Sequence, residues 1–286
     1  MLATAHPPIP NVDDVDAAAR ILEAGIPAGA VLVRGLDVGT PPLTPTVMRA
    51  PDGKAPSERA LLAAARTLGT AVGYLQEHGG QTVQNIYPLR DSVGQQISTS
   101  SDVQLVFHTE TAFHPHKSRY LLLLCLRGDR GAATTLCSYD AVAPHLTETT
   151  RATLTEPRFR IGVDLSFGRG DGWTTDPLPI VTDGRGGRAA FTYDGELTVG
   201  LDPGAQHALA ELADAIATEH TSLVLEAGDL LVIDNHRAVH GRSPFRARFD
   251  GTDRWLQRTF VIESLDGIED RRDHIITTEF SAAARH

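Results

Sequence analysis

Cysteine and long hydrophobic runs are both scarce in this 286-residue chain. The only cysteines are Cys125 and Cys137, and each lies in an apolar, strand-like stretch. We expect two buried free thiols, with a disulfide or redox pair as the alternative. The longest apolar run covers residues 120–126, far short of the roughly 20 residues that cross a bilayer. Residues 1–11 lack the basic start and apolar stretch of a secretory signal, so these absences together predict a cytoplasmic protein without a membrane span.

Positive charge is also in short supply, because the formal net charge is −10. An acidic chain lacks the electrostatic footprint of a nucleic-acid or anionic-membrane binder. We therefore expect neither partner, and a small molecule remains the natural ligand. A local basic pocket is still open, because five arginines cluster between residues 242 and 258.

The distribution of apolar runs and turn residues along the chain predicts a mainly β fold with flanking helices. Helices are expected at residues 12–24, 57–68 (with Ser57 as N-cap) and 206–218. Short apolar or alternating runs, mostly bounded by Gly, Pro or Asp, indicate strands at residues 30–36, 120–126, 133–138, 158–165, 188–193, 223–226, 230–235 and 256–264. Many short strands of this kind are typical of a sandwich or jelly roll.

We see no repeat and no composition break, so residues 1–286 are interpreted as a single domain. A helical flank with one strand would cover residues 12–71, and a jelly-roll core would cover residues 95–265. Residues 166–187 are rich in Gly, Asp and Pro and are long for a connection, which predicts a lid over the site. Residues 281–286 are expected to be a frayed tail.

His108-Thr109-Glu110, followed far downstream by His240, suggests a metal site. Residues i and i+2 of an extended strand point to the same face, so His108 and Glu110 would project together. A histidine from another strand then completes a 2-His-1-carboxylate triad. Such a triad suits iron(II) and leaves coordination positions on the metal open for an oxidisable cosubstrate and O₂. An isolated His-x-Glu is a weak signal, and other histidines compete for the distal position: His114, His116 and His236.

Arg254 follows His240 by fourteen residues and could hold a cosubstrate. Its planar guanidinium can grip both oxygens of a carboxylate. Taken alone, it would more often be a solvated surface charge.

The ordered set of motifs closely resembles the clavaminate synthase-like branch of the iron(II)- and 2-oxoglutarate-dependent oxygenases, within the taurine dioxygenase superfamily. The resemblance runs from about residue 34 to residue 262. It is carried by FHTETAFHPHKSRYLLLLCLRGD (107–129), GAATTLCS (131–138), GDLLVIDNHRAVHGRSPF (228–245) and RFDGTDRWLQRTFV (248–261).

The resemblance implies a double-stranded β-helix (jelly-roll) core with iron bound by His108, Glu110 and His240. Arg254 would bind the distal carboxylate of 2-oxoglutarate. The remaining implied contacts are Thr135 to 2-oxoglutarate, and Arg258, Asp194, Ser98 and Glu110 to the substrate.

Three of these implied contacts have a plainer alternative. Thr135 suits a strand simply because it is β-branched. Arg258 could instead form a structural ion pair with Asp250 or Asp253. Asp194 precedes a glycine, which is a turn signal.

Members of this branch largely act on free amino acids and their derivatives, so the resemblance implies hydroxylation of such a substrate, with C3 expected. Related halogenases have a small residue at the carboxylate position, so Glu110 favours hydroxylation, with desaturation or ring closure still open. Arginine hydroxylases carry a second acid at the position of Thr192, which leaves lysine, ornithine, asparagine or a nonstandard amino acid open. A zinc hydrolase or a metal-binding protein without turnover is the alternative from another class. The oligomeric state is not predicted.

Overall fold

The computed structural model describes residues 7–167 and 172–280. Residues 1–6 of the N-terminal segment assessed for a signal (1–11), residues 168–171 of the predicted lid (166–187) and the predicted tail (281–286) therefore lie outside the described residues. The strands, in chain order, are β1 (Asn11–Val12), β2 (Ala30–Val33), β3 (Thr70–Tyr74), β4 (Gln84–Ile86), β5 (Leu105–His108), β6 (Tyr120–Arg127), β7 (Thr134–Ser138), β8 (Phe159–Ile161), β9 (Val181–Asp183), β10 (Ala189–Phe191), β11 (Thr198–Gly200), β12 (Thr221–Leu223), β13 (Leu230–Asp234), β14 (Ala238–Arg242), β15 (Trp255–Ile262), β16 (Arg271–Arg272) and β17 (Ile275–Ile276).

The α-helices are α1 (Val15–Glu23), α2 (Pro56–Leu68), α3 (Tyr139–Val142), α4 (Glu148–Leu154) and α5 (Pro203–Glu219). Single 3₁₀ turns occur at His78–Gly80, Arg90–Ser92, Ala143–His145, Leu165–Phe167 and Arg185–Gly187. In the part of the chain described here, no helix is both long and apolar enough to cross a membrane.

Two sheets form the centre of the fold. The larger has the strand order β1-β2-β13-β6-β15-β3-β17-β16, with β4 also paired to β15, and the smaller has the order β12-β7-β14-β5. Side chains from both sheets, such as Leu123 of β6 and Leu136 of β7, belong to one buried cluster. Two sheets of mostly antiparallel strands over a common core give the predicted mainly β, jelly-roll class, which is confirmed.

Strand β6 shows why this part of the sequence is continuously apolar. Leu121, Leu123 and Cys125 belong to the cluster between the sheets, whereas Leu122 and Leu124 pack toward α1 and α2 on the other face. A strand buried on both faces cannot alternate apolar with polar residues, so residues 120–126 read as one hydrophobic run. The smaller sheet is covered in the same way, because Cys137 and Val239 pack with residues of α5.

The positions of the predicted helices are close to those observed, but their first residues differ. Ser57 is not the N-cap of α2: the helix begins at Pro56 after Ala55, and Ser57 is buried in its first turn. Proline suits this position because its fixed φ fits a helix and its missing N–H would have no partner there. Helix α5 begins at Pro203, earlier than predicted, because the side chain of Asp202 caps it.

The predicted strands at residues 30–36, 120–126, 133–138, 230–235 and 256–264 correspond to β2, β6, β7, β13 and β15. The run at 223–226 was placed too late, since β12 is Thr221–Leu223. The predictions at 158–165 and 188–193 were too long, because only the three-residue strands β8 and β10 form there. Both cysteines are buried and free, as expected.

The predicted lid is not a structureless loop in its described part. Residues 172–187 include β9, and Trp173 and Leu178 pack against the central core. Ile180 and Val181 are buried. Within the described residues, only Ser166 and Phe167 of this segment line the cavity beside His108 and His240.

Candidate metal centre

The smaller sheet brings the predicted metal ligands together. His108 is the last residue of β5, His240 lies in β14, and the antiparallel register places these two residues directly opposite each other. Their rings are 4.3 Å apart between centroids. Glu110 follows His108 by two residues, and its Oε2 lies 3.4 Å from His240 Nε2 and 3.9 Å from His108 Nε2. One donor atom from each of the three residues lies within 4.8 Å of the others, which is the spacing a single metal ion would need.

Asn235 holds the backbone of Glu110 in place. Its Oδ1 accepts a hydrogen bond from Glu110 N at 2.8 Å, and its Nδ2 donates to Glu110 O at 3.1 Å and Ser118 O at 3.0 Å. Asn235 is fully buried in the turn that joins β13 to β14. The carboxylate donor is therefore tied to the turn that leads directly into β14, the strand that carries His240.

The protonation states of the three side chains suit a divalent cation. The Nδ1 of His108 lies 2.8 Å from Val106 O, and because a carbonyl only accepts, this contact assigns Nδ1 as the donor and Nε2 as the nitrogen that can bind a metal. Burial, and next the neighbouring His108, lowers the pKa of His240 to about 4, so its ring is neutral. Burial alone would raise the pKa of Glu110, but Arg258 and the two imidazoles bring it below its ordinary value. Two imidazoles and one carboxylate are a donor set that fits iron(II).

The competing histidines lie elsewhere. His236 is in the β13–β14 turn, where its carbonyl accepts a hydrogen bond from Phe191 N at 2.7 Å. The Nε2 of His116 lies 3.0 Å from Asp270 Oδ1, and the ring of His114 packs among aromatic side chains. Over residues 7–167 and 172–280, His108, Glu110 and His240 form the one cluster of three potential metal ligands.

The three donors open onto a cavity of about 340 Å³. It collects nearly all the residues singled out from the sequence, although they come from distant parts of the chain. Its wall includes Ser98, His108, Glu110, Asp194, His240, Arg254 and Arg258.

Arg254 is a buried cation that lacks a counterion. Its Nη2 donates to Thr134 Oγ1 at 3.1 Å, and among the described residues no carboxylate lies within ion-pair distance. Burial lowers its pKa to about 10, so the guanidinium is still charged at neutral pH. Burying an unpaired charge is costly, which indicates that an anion completes this part of the cavity.

The threonine next to Arg254 is Thr134, and this corrects the prediction for Thr135. Thr134 lines the cavity, whereas Thr135 is absent from its wall. The two residues are adjacent on β7, and neighbouring side chains of a strand point to opposite faces. The prediction therefore identified the right strand but was one residue out of register.

Arg258 is the centre of a buried charge network. Its Nη1 donates to Glu110 Oε1 at 3.2 Å, its Nε donates to Gln84 Oε1 at 2.6 Å, and its Nη2 donates to Glu77 Oε1. The alternative ion pair with Asp250 or Asp253 does not form. Since Glu110 Oε1 is held by Arg258, Oε2 is left to face the two histidines.

Glu77 was missed in the sequence analysis. It is buried, lines the cavity, and its Oε2 has no hydrogen-bond partner among the described residues. Burial is the main reason that its pKa rises to about 7, opposed by the charge of Arg258. The contact between Glu77 and Arg258 spans 181 residues, so no local pattern could have indicated it.

Asp194 and Ser98 both lie in the cavity wall, as the sequence predicted. Asp194 also forms the turn that was its alternative interpretation, because Oδ1 accepts hydrogen bonds from Glu196 N at 2.8 Å and Leu197 N at 2.9 Å. The turn and the cavity position are thus compatible. The turn fixes the direction in which the carboxylate points.

The sheets, the cavity and the 2-His-1-carboxylate cluster define a jelly-roll protein of the non-haem iron oxygenase type. Residues 9–260 match the family described as taurine catabolism dioxygenase TauD, TfdA family, and the chain belongs to that family. The chain is 37% identical over 241 residues to the L-lysine 3-hydroxylase of Catenulispora acidiphila, covering 82% of this chain and 67% of the relative. It is 38% identical over 249 residues to the L-asparagine oxygenase of Streptomyces coelicolor, covering 84% and 72%.

A solved structure of asparagine oxygenase in complex with Fe(II), 2S,3S-3-hydroxyasparagine and succinate is also similar to this chain. It is 31% identical, has a TM-score of 0.82, and is matched over 98% of this chain and 93% of the other. The resemblance stated from the sequence is confirmed, and so are the enzyme class and its cofactors: an iron(II)- and 2-oxoglutarate-dependent dioxygenase that uses O₂.

Replacing Asn235 with alanine should weaken metal binding. The variant loses the three hydrogen bonds that fix Glu110 and Ser118, and we expect Fe(II) affinity to fall by about 10- to 100-fold. Anaerobic titration with Fe(II) measures the change. Asn85→Ala is the matched control, because Asn85 is also buried and accepts hydrogen bonds from Trp255 Nε1 and Gln257 Nε2 away from the cluster. Equal Fe(II) affinities in the two variants would contradict the role assigned to Asn235.

Proposed function

We propose that His108, Glu110 and His240 bind Fe(II), that Arg254 binds 2-oxoglutarate, and that the protein hydroxylates a free amino acid at C3. The observation that carries this proposal is the arrangement of one cavity wall. It presents a metal-binding cluster, one buried arginine that needs an anion, and a second arginine held beside a carboxylate with an unpartnered oxygen.

Arg254 is suited to the cosubstrate. 2-Oxoglutarate is a dianion, and its distal carboxylate would supply the counterion that the buried guanidinium lacks. Thr134, which already accepts a hydrogen bond from Arg254, also lines the cavity and could donate its hydroxyl proton to the same carboxylate. We therefore assign the threonine contact to Thr134 instead of Thr135.

Arg258 and Glu77 are suited to the two charges of an α-amino acid. A guanidinium has five N–H donors, and the contacts of Arg258 to Gln84, Glu110 and Glu77 use three of them. The two remaining N–H groups can bind the α-carboxylate of the substrate. The unpartnered Oε2 of Glu77 can accept a hydrogen bond from the α-ammonium group.

In this arrangement, the contacts to the α-carboxylate and α-ammonium groups determine where the reacting carbon lies. If the α-carboxylate and α-ammonium groups are held at Arg258 and Glu77, C2 is fixed beside Glu110, and C3 is the next atom of the substrate. The relatives support C3, because one is named a lysine 3-hydroxylase and a similar structure contains 3-hydroxyasparagine. Asp194 and Ser98 would then contact the substrate beyond C3.

Fe(II) with 2-oxoglutarate and O₂ supplies the oxidising power for the C–H bond, and the protein supplies position. Glu110 has a double part, since Oε2 faces the metal position while Oε1 locks Arg258. Desaturation or ring closure would need the same residues. A zinc hydrolase, by contrast, has no use for the anion site at Arg254, and the family assignment argues against it.

We also propose a cytoplasmic location, which the two free thiols support.

The proposal is tested with Fe(II), 2-oxoglutarate and candidate amino acids. Without O₂, the purified protein should develop a visible metal-to-ligand charge-transfer band. After O₂ is added, we expect succinate and an amino-acid product that is heavier by one oxygen, measured by mass spectrometry. His240→Ala should lose the band, while His236→Ala, four residues away, should keep it. A band that survives His240→Ala, or succinate formation that no amino acid stimulates, would overturn the proposal.

Replacing Arg254 with glutamine should weaken 2-oxoglutarate binding selectively. Loss of a charged, two-pronged contact is expected to raise the Kd of 2-oxoglutarate by roughly 100-fold, while Fe(II) affinity is unchanged. Because Arg254 lacks a carboxylate partner, the cosubstrate-free protein should lose little stability. The control is Arg248→Gln, since Arg248 is half-exposed and pairs with Asp129 outside the cavity. A similar loss of 2-oxoglutarate affinity in both variants would argue against a specific anchor.

A further inference from the structure

One part of the cavity carries more negative charge than the metal and cosubstrate require. Among the described residues that line it, there are five carboxylates and three guanidiniums. The carboxylates are Glu77, Glu110, Asp164, Asp194 and Glu196. Fe(II) and the dianion 2-oxoglutarate cancel each other, so they leave this excess unchanged.

The guanidiniums do not form ion pairs with Asp164, Asp194 or Glu196. Arg242 donates to the backbone carbonyls of Ser100 and Val103, which fixes the loop that precedes β5. Arg254 is assigned to the cosubstrate, and Arg258 is shared by Glu77 and Glu110. Asp164, Asp194 and Glu196 form no ion pair with any described residue, and we call these three the acidic wall.

The acidic wall and Glu77 border the same compartment. The negative charge of Asp164 acts on Glu77 and on Glu196. Burial, followed by the charges of Asp194 and Asp164, raises the pKa of Glu196. Independently of the wall, Glu77 lines this cavity and has a buried oxygen without a hydrogen-bond partner among the described residues. Unpartnered buried oxygens and mutually repelling carboxylates are both relieved by a bound cation.

Thr192 occupies the position at which arginine hydroxylases of this branch carry an acidic residue. It does not contribute to the acidic wall. Its hydroxyl accepts a hydrogen bond from Lys117 Nζ, and neither residue lines the cavity. Asp164 comes from a different segment, after β8, where its Oδ1 accepts hydrogen bonds from Ser166 N at 2.7 Å and Ser166 Oγ at 2.6 Å. Asp164 thus brings a further carboxylate to the cavity from a segment that is distant in sequence from position 192.

We infer that the substrate is an amino acid with a cationic side chain, whose ammonium or guanidinium group is bound between Asp164 and Asp194, with Glu196 nearer the solvent. This inference rests on the proposed function, because it requires the α-carboxylate and α-ammonium groups to lie at Arg258 and Glu77. It selects the lysine, ornithine and arginine class over asparagine. The two relatives do not make that selection, since they are nearly equal in identity to this chain.

Pairs of substrates that differ only in side-chain charge test the inference. L-Lysine is compared with L-norleucine, which lacks the terminal ammonium group, and L-arginine with L-citrulline, which replaces guanidinium with neutral urea. The cationic member of at least one pair should have a kcat/KM that is higher by roughly 10- to 100-fold, as expected for a hydrogen bond between charged groups. Anaerobic calorimetry with Fe(II) and 2-oxoglutarate should show the same preference in Kd.

The Asp164→Asn variant tests whether the acidic wall causes the preference for a cationic substrate. For the cationic substrate, KM should rise by about tenfold or more with a smaller change in kcat, while KM for the neutral partner should not rise. Asp183→Asn is the control, because Asp183 is exposed on β9 outside the cavity, and it should leave both values unchanged.

The outcomes separate the two proposals. Equal or better turnover of the neutral partners, or an equal loss for both members of a pair in Asp164→Asn, overturns the cationic-substrate inference and leaves amino-acid hydroxylation standing. If neither cationic nor neutral amino acids stimulate succinate formation, the proposed function itself fails.

Discussion

The pairing of β5 with β14 is the constraint on which the site depends. Because His108 and His240 are cross-strand partners, their imidazoles lie side by side without any contribution from a flexible loop. A shift of one residue in this pairing would turn one imidazole to the opposite face of the sheet. The burial of both faces of the smaller sheet makes that shift costly, since Leu136 packs toward one layer and Cys137 toward the other. The stability of the core and the geometry of the metal cluster thus have the same origin.

Strand β15 organises the anion sites in a comparable way. Arg254, Leu256 and Arg258 alternate along the chain, and all three line the cavity. Four residues of extended chain span about 13 Å, so the two guanidiniums serve separate positions and do not compete for one anion. Their surroundings differ: Arg254 has only a neutral hydroxyl as a partner, whereas Arg258 is held by two carboxylates and an amide. This difference supports the proposal that Arg254 binds the dianionic cosubstrate, whereas Arg258 binds a carboxylate whose ammonium neighbour is held beside it.

The sequence was most informative where the chemistry is local or where motifs occur in a fixed order. The jelly-roll class, most of the long strands, the three potential metal ligands and both cavity arginines could be predicted from it. It was less informative where the direction of a side chain decides whether the residue faces the cavity. Thr134 and Thr135 have the same chemistry, and only the register of β7 against β14 shows which one faces the cavity. Glu77 could not be predicted at all, because its significance comes from β3 and β4 lying beside β15, a long-range pairing that leaves no periodic signal.

Substrate specificity is also difficult to predict from the sequence, and the second acidic residue near the substrate shows why. A sequence comparison at a single position finds Thr192 where an acid occurs in arginine hydroxylases, and suggests that a cationic side chain has lost its partner. Electrostatic attraction depends on where charges lie in space and not on which segment carries them. Asp164 lies thirty residues before Asp194 in the chain, yet both line one cavity. Thr192 is turned toward Lys117, so a carboxylate there would pair with that lysine before it could reach the substrate. In this chain the absence of an acid at position 192 therefore says little about the charge of the substrate, and the charge of the whole cavity wall says more.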